Sequence, residues 1–411
     1  MPESIRWGII GPGRIAGNVA RDFPLTPRAE LAAVASRSLP RAQDFAGAHQ
    51  IPRAYGSYRE LLADPDIDAV YIATPHPQHR QTAIAALTAG KAILVEKTFT
   101  ATVSGAQEVI NIARARGVFA MEAMWTRFQP AIVAAKNLVD DGAIGEVRQV
   151  QADLGVDRPF DAEDRLFNPT LGGGALLDLG VYVVSLAQYF LGDPAAVVAH
   201  GSLFPTGVDA EAGLLLRYDD GAIGEVRQVQ ADLGVDRPFD AEDRLFNPTL
   251  GGGALLDLGV YVVSLAQYFL GDPAAVVAHG SLFPTGVDAE AGLLLRYDDG
   301  HTATLLCSLL HHTPGQARIF GTEGWIDILP RFHHPREIVL HRKGADPEPM
   351  VRPPVGGGYS HELAEVTECL LNGRAQSPVM PLADTLAVQR VLNTACEQLG
   401  VDHTEDPADL D

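Results

Sequence analysis

The stretch "IRWGIIGPGRIAGNVARDF", residues 5–23, decides the fold. Its first part, IRWGIIG (5–11), is a short apolar run closed by glycine, and RIAGNVARDF (14–23) continues with helical spacing. Between them Gly11, Gly13 and Ala16 spell G-x-G-x-x-A. Glycine at 11 permits a tight turn, and glycine at 13 lets a pyrophosphate approach the backbone. The small residue at 16 lets helix and strand pack closely, so that the helix N-terminus faces the phosphates, with Arg14 and Ile15 opening its first turn. The motif alone is weak, because turns are rich in glycine; its place between a first strand and a helix gives it weight.

Outward from this stretch the alternation continues. AELAAVASRS (29–38) reads as a second strand and LPRAQDFAGAHQ as a second helix. AVYIATP (69–75), a helix from about Gln78 to Ala89, AILVEKT (92–98), a helix around GAQEVINIARARG (105–117) and VFAMEAM (118–124) follow. Strands alternating with helices of this length predict a parallel sheet with helices on both faces, over a first domain of residues 1–124. Ligands of such a sheet bind beyond the carboxyl ends of its strands. The second strand ends in ASRS and not in an acidic residue that would hold the ribose hydroxyls of NAD. Ser36 and Arg37 suit a 2′-phosphate instead, so NADP is the expected cofactor, with NAD possible; the plainer reading of Arg37 is a solvated charge at a helix start.

Composition narrows the class. The chain has 411 residues and a formal net charge of −21, a balance that repels nucleic acid and anionic membrane surfaces. Its 3 cysteines, Cys307, Cys369 and Cys396, show no CxxC spacing and read as buried thiols in a reducing compartment. MPESIRWGIIG lacks a charged n-region followed by a long apolar one, so no signal peptide is expected. No run of about 18 uncharged apolar residues is evident, so no membrane span is expected either. A cytoplasmic protein is the expectation.

The second domain, residues 125–411, contains an exact tandem repeat. Residues 142–220 and 221–299 match letter for letter, and "GGGALLDLGVYVVSLAQYFLG" stands at both 172–192 and 251–271. Natural repeat families drift, because each unit needs only its stacking face; full identity argues for a tandem duplication and against a solenoid. Within the unit Asp178 and Tyr182, four residues apart, share one helix face, as do Asp257 and Tyr261 in the second copy. A buried acid and phenol on an otherwise apolar helix need partners or a substrate; the plainer reading is a core tyrosine and a local cap. Lys97, directly after Glu96, lies at a carboxyl strand end, where it is either a surface ion pair or a residue of the ligand edge. The adjacent pairs His311–His312 and His333–His334 read as loop or sheet histidines rather than metal ligands. PVGGGYSHE (354–362) reads as a flexible loop before a helix.

The dinucleotide motif, ATPHPQH (73–79), VEKT (95–98), MEAMWTRF (121–128), GGGALLDLGVY and FGTEGWIDI (320–328) occur in this order. In this the chain resembles the Gfo/Idh/MocA family of NAD(P)-dependent oxidoreductases, in the branch of the dihydrodiol and D-xylose dehydrogenases. The resemblance implies a Rossmann domain followed by an open, mostly antiparallel sheet with helices on one face, through which such chains commonly pair as homo-oligomers. It implies cofactor contacts at Gly11, Gly13, Arg14, Ile15, Ala16, Ser36, Arg37, Thr74, Pro75, His79, Glu96 and Lys97. It implies catalysis by Lys97 with Asp178 and Tyr182, or with Asp257 and Tyr261, and pocket walls at Trp125 and Arg127. The substrate class is a sugar, polyol or dihydrodiol. Tyr182 would accept the substrate hydroxyl proton, its phenol made more acidic by the Lys97 ammonium. Thr98 stands where the family has proline. The other function class compatible with these residues is a cofactor-binding sensor or inactive variant. Between the two copies, the first keeps the shorter tie to the domain carrying Lys97, which favours Tyr182 over Tyr261.

Overall fold

A computed structural model describes residues 3–145, 147–152, 161, 164–194, 196–204, 206–217, 228–231, 275–282, 288–296, 302–305, 317–330, 333–399, 405 and 410. The strands β1 (Ile5–Ile10), β2 (Ala29–Ala35), β3 (Arg53–Tyr55), β4 (Ala69–Ile72), β5 (Ala92–Glu96) and β6 (Ala120–Ala123) form one sheet in the order β3-β2-β1-β4-β5-β6. All five pairings are parallel. This is the Rossmann order, with its reversal point between β1 and β4. Helices α1 (Arg14–Asp22), α2 (Leu39–His49), α3 (Tyr58–Ala63), α4 (His76–Thr88) and α5 (Val103–Arg116) provide the crossovers.

Both faces of the sheet are buried, which is why its strands are almost wholly apolar. Trp7, Ile9, Tyr71 and Leu94 face one core, and Ile10, Val70, Ile72, Ile93 and Val95 the other, as the two-residue period of a strand requires. Local chemistry sets the helix ends. Thr102 caps α5 by accepting from Gly105 N, and Gly117 ends it in the left-handed region. Of the cysteines, Cys369 is a buried thiol, and the side chains of Cys307 and Cys396 lie outside the described residues.

Beyond the sheet, α6 (Pro130–Asp140) leads to β7 (Val147–Ala152), and the stretch up to Leu191 ends in α7 (Val181–Leu191). The strands β8 (Ala196–Leu203) and β9 (Asp209–Arg217) pair as an antiparallel hairpin. Further strands are β10 (Gln228–Ala231), β11 (Ala275–Leu282), β12 (Asp288–Arg296), β13 (Thr302–Leu305), β14 (Ala317–Gly321), β15 (Gly324–Ile328), β16 (Glu337–Arg342) and β17 (Glu348–Val351). Helices α8 (Ser360–Leu371) and α9 (Leu382–Leu399) close the chain. An antiparallel sheet β17-β16-β15-β14-β7 packs its inner face, Ile319, Ile326, Ile328, Ile338 and Leu340, against Ile132 of α6 and Leu186 of α7. Helices thus cover one face of this sheet.

The repeat divides the remaining strands. β8–β9 and β11–β12 are the same sequence and fold into the same hairpin, each with a register shift at the equivalent Ser–Leu step. Yet β7 pairs antiparallel with β14, while its identical counterpart β10 pairs parallel with β13. Only the strands available nearby differ. Among the described residues the antiparallel strands therefore fall into separate sheets, because a second unit stands between β9 and the strand that follows the repeat.

Pro169–Leu191 is long and apolar enough to cross a bilayer by length and composition alone, with mean hydropathy 1.5, but Asp178 interrupts it, so it is not an uncharged apolar run. In the fold half of it is buried within the protein, and it carries Asp178 in ion pairs, so it is an interior helix.

One carboxylate ties the two parts together. Asp22, at the end of α1 and 3% exposed, accepts from the backbone N–H of Gly357 at 3.0 Å, Tyr359 at 2.9 Å and Ser360 at 3.2 Å. The loop expected at 354–362 is thereby pinned to the Rossmann sheet. Hydrogen bonds to a charged group contribute about 1.5–3 kcal/mol, so Asp22→Ala is expected to lower the unfolding free energy by about 2–3 kcal/mol in a denaturant titration. Asp22→Asn, which keeps one acceptor oxygen, should lose less; an unchanged midpoint for the alanine variant would show that other contacts hold the loop.

Candidate active site

The carboxyl edge of the sheet is built from the strand ends outward. Gly11 has φ +88°, and a Cβ there would lie 3.0 Å from the Ala73 carbonyl, so the turn after β1 requires glycine. Gly13 caps α1 without any side-chain hydrogen bond, and a Cβ built on it would meet nothing within 4 Å. The backbone at Gly13 is therefore open to a close approach at the N-terminus of α1, where a pyrophosphate is received in such turns. Ala16 is fully buried under the turn, while Arg14 is exposed and Ile15 partly so.

At the end of β2, Ser36 is buried and its Oγ accepts from Ser38 N at 3.3 Å, while Arg37 is exposed. Arg41, one turn along α2, donates to Pro12 O at 3.1 Å and so reaches across to the glycine turn. Burial pushes the Tyr58 phenol up, against the opposing charges of Arg37 and Arg41 beside it. Two guanidiniums thus converge on this corner. Arg41 was not singled out from the sequence, although its four-residue spacing from Arg37 at a helix start was the available signal.

After β4, the buried Thr74 hydroxyl has no partner among the described residues, and Pro75 caps α4. His79, expected as a cofactor contact, has both ring nitrogens engaged by the backbone at the ligand edge. It is fully buried, with Nδ1 2.8 Å from Thr98 O and Nε2 2.7 Å from Thr74 O, and burial brings its pKa down to about 4 despite those carbonyls. It holds two strand-end loops together. Glu122 does the same from β6: its Oε1 accepts from Phe99 N at 2.9 Å, and burial pushes the carboxyl up to about 7. Between these two anchors the Lys97–Thr98 peptide is cis, with threonine in the family's proline position. Glu96 is also turned inward, accepting from the Tyr71 hydroxyl and, at 3.2 Å, from Lys97 N.

Lys97 projects into the second domain. Its Nζ donates to Asp178 O at 2.7 Å and lies 3.3 Å from Asp178 Oδ1, and Arg165 Nη2 donates to the same oxygen at 2.8 Å. Burial alone would raise the Asp178 carboxyl, but Lys97 and then Arg165 outweigh it and hold the group well below the ordinary carboxylate range. His76, buried and 3.1 Å from Gly172 O, completes this corner; burial, then His79 and Lys97, keep it neutral. The helix carrying Asp178 starts on Asp209, whose buried Oδ2 accepts from Leu176 N at 2.5 Å. Gly174, at φ +120°, passes so close to Asp209 that a side chain there would collide with it. A wide π-type turn over Leu176–Gly180 then delivers Asp178 and Tyr182 to Lys97.

The Lys97 ammonium sits 4.8 Å from the Tyr182 ring centroid, over the ring. The phenol is not made more acidic, as the sequence had suggested. Burial, then the carboxylates of Glu96, Asp178 and Glu362, push it well above the ordinary value, with Trp125 acting in the opposite direction. Trp125 is partly buried and stacks on Tyr359 at 4.5 Å and on His334 at 5.3 Å, while His333 stacks on Tyr182 at 5.1 Å. His333 and His334 lie in a loop, as read from the sequence, and their rings stack on the aromatic side chains beside Lys97. Arg127 is not a pocket wall. Its side chain, 1% exposed, bonds Asp384 at 2.7 Å, Gln188 at 2.5 Å and Ser185 Oγ at 3.1 Å. The four-residue 3₁₀ turn of Trp125–Phe128 points residues 125 and 127 in different directions, one to the site and one to the core. Asp178 and Tyr182 of the first unit meet Lys97; Asp257, Tyr261, His311 and His312 lie outside the described residues.

A nucleotide cradle, a basic corner and a Lys–Asp–Tyr cluster on one sheet edge define an NAD(P)-dependent oxidoreductase. The family model described as an oxidoreductase family with NAD-binding Rossmann fold matches residues 5–124, and the GFO/IDH/MocA C-terminal domain model matches twice, at 132–223 and 218–327. The chain belongs to the Gfo/Idh/MocA family. It is 32% identical to a trans-1,2-dihydrobenzene-1,2-diol dehydrogenase from Xenopus tropicalis, over 96% of this chain and 98% of that one. Its fold resembles an aldose-aldose oxidoreductase from Caulobacter crescentus complexed with glycerol (TM-score 0.65, 23% identity, 97% and 98% of the chains). It also resembles a 3-ketoreductase from Actinomadura kijaniata in complex with NADP (TM-score 0.62, 23% identity, 96% and 98%).

The depressed Asp178 carboxyl makes a directional prediction. A group whose folded pKa lies below its unfolded value stabilises above the unfolded value, near 4, and that contribution is lost as pH falls through the folded one. Asp178→Asn should therefore flatten the stability curve below about pH 4 relative to the parent chain, measured by unfolding at stepped pH. Parallel acid limbs would remove Asp178 from this balance.

Proposed function

We propose that the chain is an NADP-dependent dehydrogenase that oxidises a secondary hydroxyl, or its hemiacetal equivalent, of a sugar, polyol or dihydrodiol. The observation that carries this is the convergence of Lys97, Asp178 and Tyr182, from two parts of the chain, at the carboxyl edge of a dinucleotide-binding sheet. The engaged triplet favours catalysis over a sensor role. Gly13, the α1 N-terminus and Thr74 would hold the dinucleotide, and Arg37 and Arg41 a 2′-phosphate. When bound, the oxidised nicotinamide accepts the hydride. Tyr182 exchanges the proton with the substrate oxygen: because its phenol is held protonated, it is poised to protonate the oxygen in carbonyl reduction, and alcohol oxidation should rise with pH. Lys97, fixed by Asp178, orients the substrate oxygen and stabilises negative charge on it. Trp125 and Tyr359 exclude water from one side. The name of the Xenopus relative and the glycerol complex of the Caulobacter neighbour support this substrate class. Trp325, 39% exposed on the outer face of the five-stranded sheet and stacked on His341, supports pairing of two copies through that face. The acidic charge and the absence of CxxC spacing support a cytoplasmic location.

Two measurements test the reading. Titration with each cofactor should show tighter binding of NADP than of NAD, and Arg37→Asp should weaken NADP binding by about 10–100-fold, the loss of one charge-assisted phosphate contact; tighter binding of NAD by the parent chain would sink the assignment. In a cofactor-reduction assay over sugars, polyols and diols, Tyr182→Phe should lower kcat by about 10²–10⁴-fold, while Tyr261→Phe leaves it unchanged. Loss of turnover in Tyr261→Phe alone would place the working site in the second unit.

A further inference from the structure

Glu362 is a buried carboxyl that the mechanism above leaves unused. It lies in the first turn of α8, three residues after Tyr359, and is 0% exposed. Neither carboxyl oxygen has a hydrogen-bond partner among the described residues. The ionisable groups that face it come from several elements: Glu96 from β5 and Asp22 from α1 act on it, and it acts in turn on Tyr71 of β4, Tyr182 of α7 and Tyr359. Glu96 is already committed to the Tyr71 hydroxyl and the Lys97 amide, and Asp22 to three backbone N–H groups. Both neighbours are therefore satisfied as acceptors. A third carboxylate here would be buried without a donor, which is far more unfavourable than burying the neutral acid.

We propose that Glu362 is a positioning residue for proton transfer: as a neutral carboxylic acid it leaves only Glu96 and Asp178 as negative charges facing Tyr182, and its ionisation sets the alkaline limit of the reaction. This rests on the dehydrogenase reading of Tyr182. Burial, with Glu96 and Asp22 adding to it, raises the Glu362 carboxyl well above the ordinary range, in the same direction. Once ionised, it would add a like charge beside the phenol and hold its proton more tightly, so that the rise of alcohol oxidation with pH would flatten.

The test uses Glu362→Gln, a neutral group of the same shape, in the full chain. At neutral pH its turnover should stay within about twofold of the parent, because both side chains are then uncharged. At alkaline pH the Tyr182 phenolate, read as the ultraviolet difference between each protein and the same protein carrying Tyr182→Phe, should form about one pH unit lower in the variant. The oxidation profile should continue to rise where that of the parent levels off. Superimposable phenolate titrations would overturn the proposal. The titration needs no turnover, so a chain inactive on every substrate would reject the dehydrogenase reading while still deciding this one. Glu362→Met supplies the second variant: it should fold and shift the phenolate in the same direction. Failure of both variants to fold would also overturn the proposal, since it would show that the carboxyl makes bonds the fold needs.

Discussion

The ion pair between Lys97 and Asp178, shared with Arg165, is the constraint on which the rest of the site depends. Lys97 stands at the end of a buried parallel strand and Asp178 on a helix 81 residues further along the chain. Their side chains are 13% and 19% exposed, so their attraction acts where water screens it little. A buried pair of this kind adds little net stability against an apolar alternative, but removing either partner leaves a charge stranded. Its value lies in geometry. It holds the helix carrying Asp178 against the carboxyl edge of the parallel sheet and places a cation across the face of Tyr182.

Other buried carboxylates serve the same end through the backbone. Asp22 gathers three N–H groups of the 357–360 loop, Asp209 begins the helix carrying Asp178, and Glu122 holds the turn after Lys97. Each is buried at a point where backbone donors would otherwise be orphaned. The consequence is electrostatic as well as structural. Buried, and with Glu96 and Asp178 close by, Tyr182 sits in surroundings that keep its proton in place, and the nearby ammonium, lying over the ring, does not reverse this.

The repeat shows how far local sequence reaches. The two hairpins, β8–β9 and β11–β12, share register and irregularity because a hairpin is specified by its own residues and turn. The short strand shared by β7 and β10 does not keep its partner, because pairing between distant strands depends on what lies within reach. Equal sequences cannot choose between equal sites; chain connectivity can. The first unit follows α6 directly, and the helix carrying Asp178 and Tyr182 in that unit meets Lys97.

By itself the sequence determined five of the six strands of the Rossmann sheet, because its signals are local: apolar runs of strand length, glycines at the first turn, helix periodicity. It missed the short edge strand β3 (Arg53–Tyr55), too short and too polar to stand out as an apolar run, and α3 after it. It also determined that Lys97 lies at a strand end and that Asp178 and Tyr182 share a helix face, since spacing sets phase. It did not determine direction. Arg127, two residues from Trp125, turns into the core, and His79 turns onto two backbone carbonyls. Arg165, Asp209, Tyr359 and Glu362 join the site from separate elements, and no spacing along the chain marks such a meeting. The Tyr182 phenol, expected to be made acidic by one lysine, is governed by burial first and then by acidic groups from other elements, Glu96 and Asp178 foremost. A residue's charge is written in its sequence, but its energy depends on the solvent it loses and the charges it meets, and only the tertiary structure brings those together.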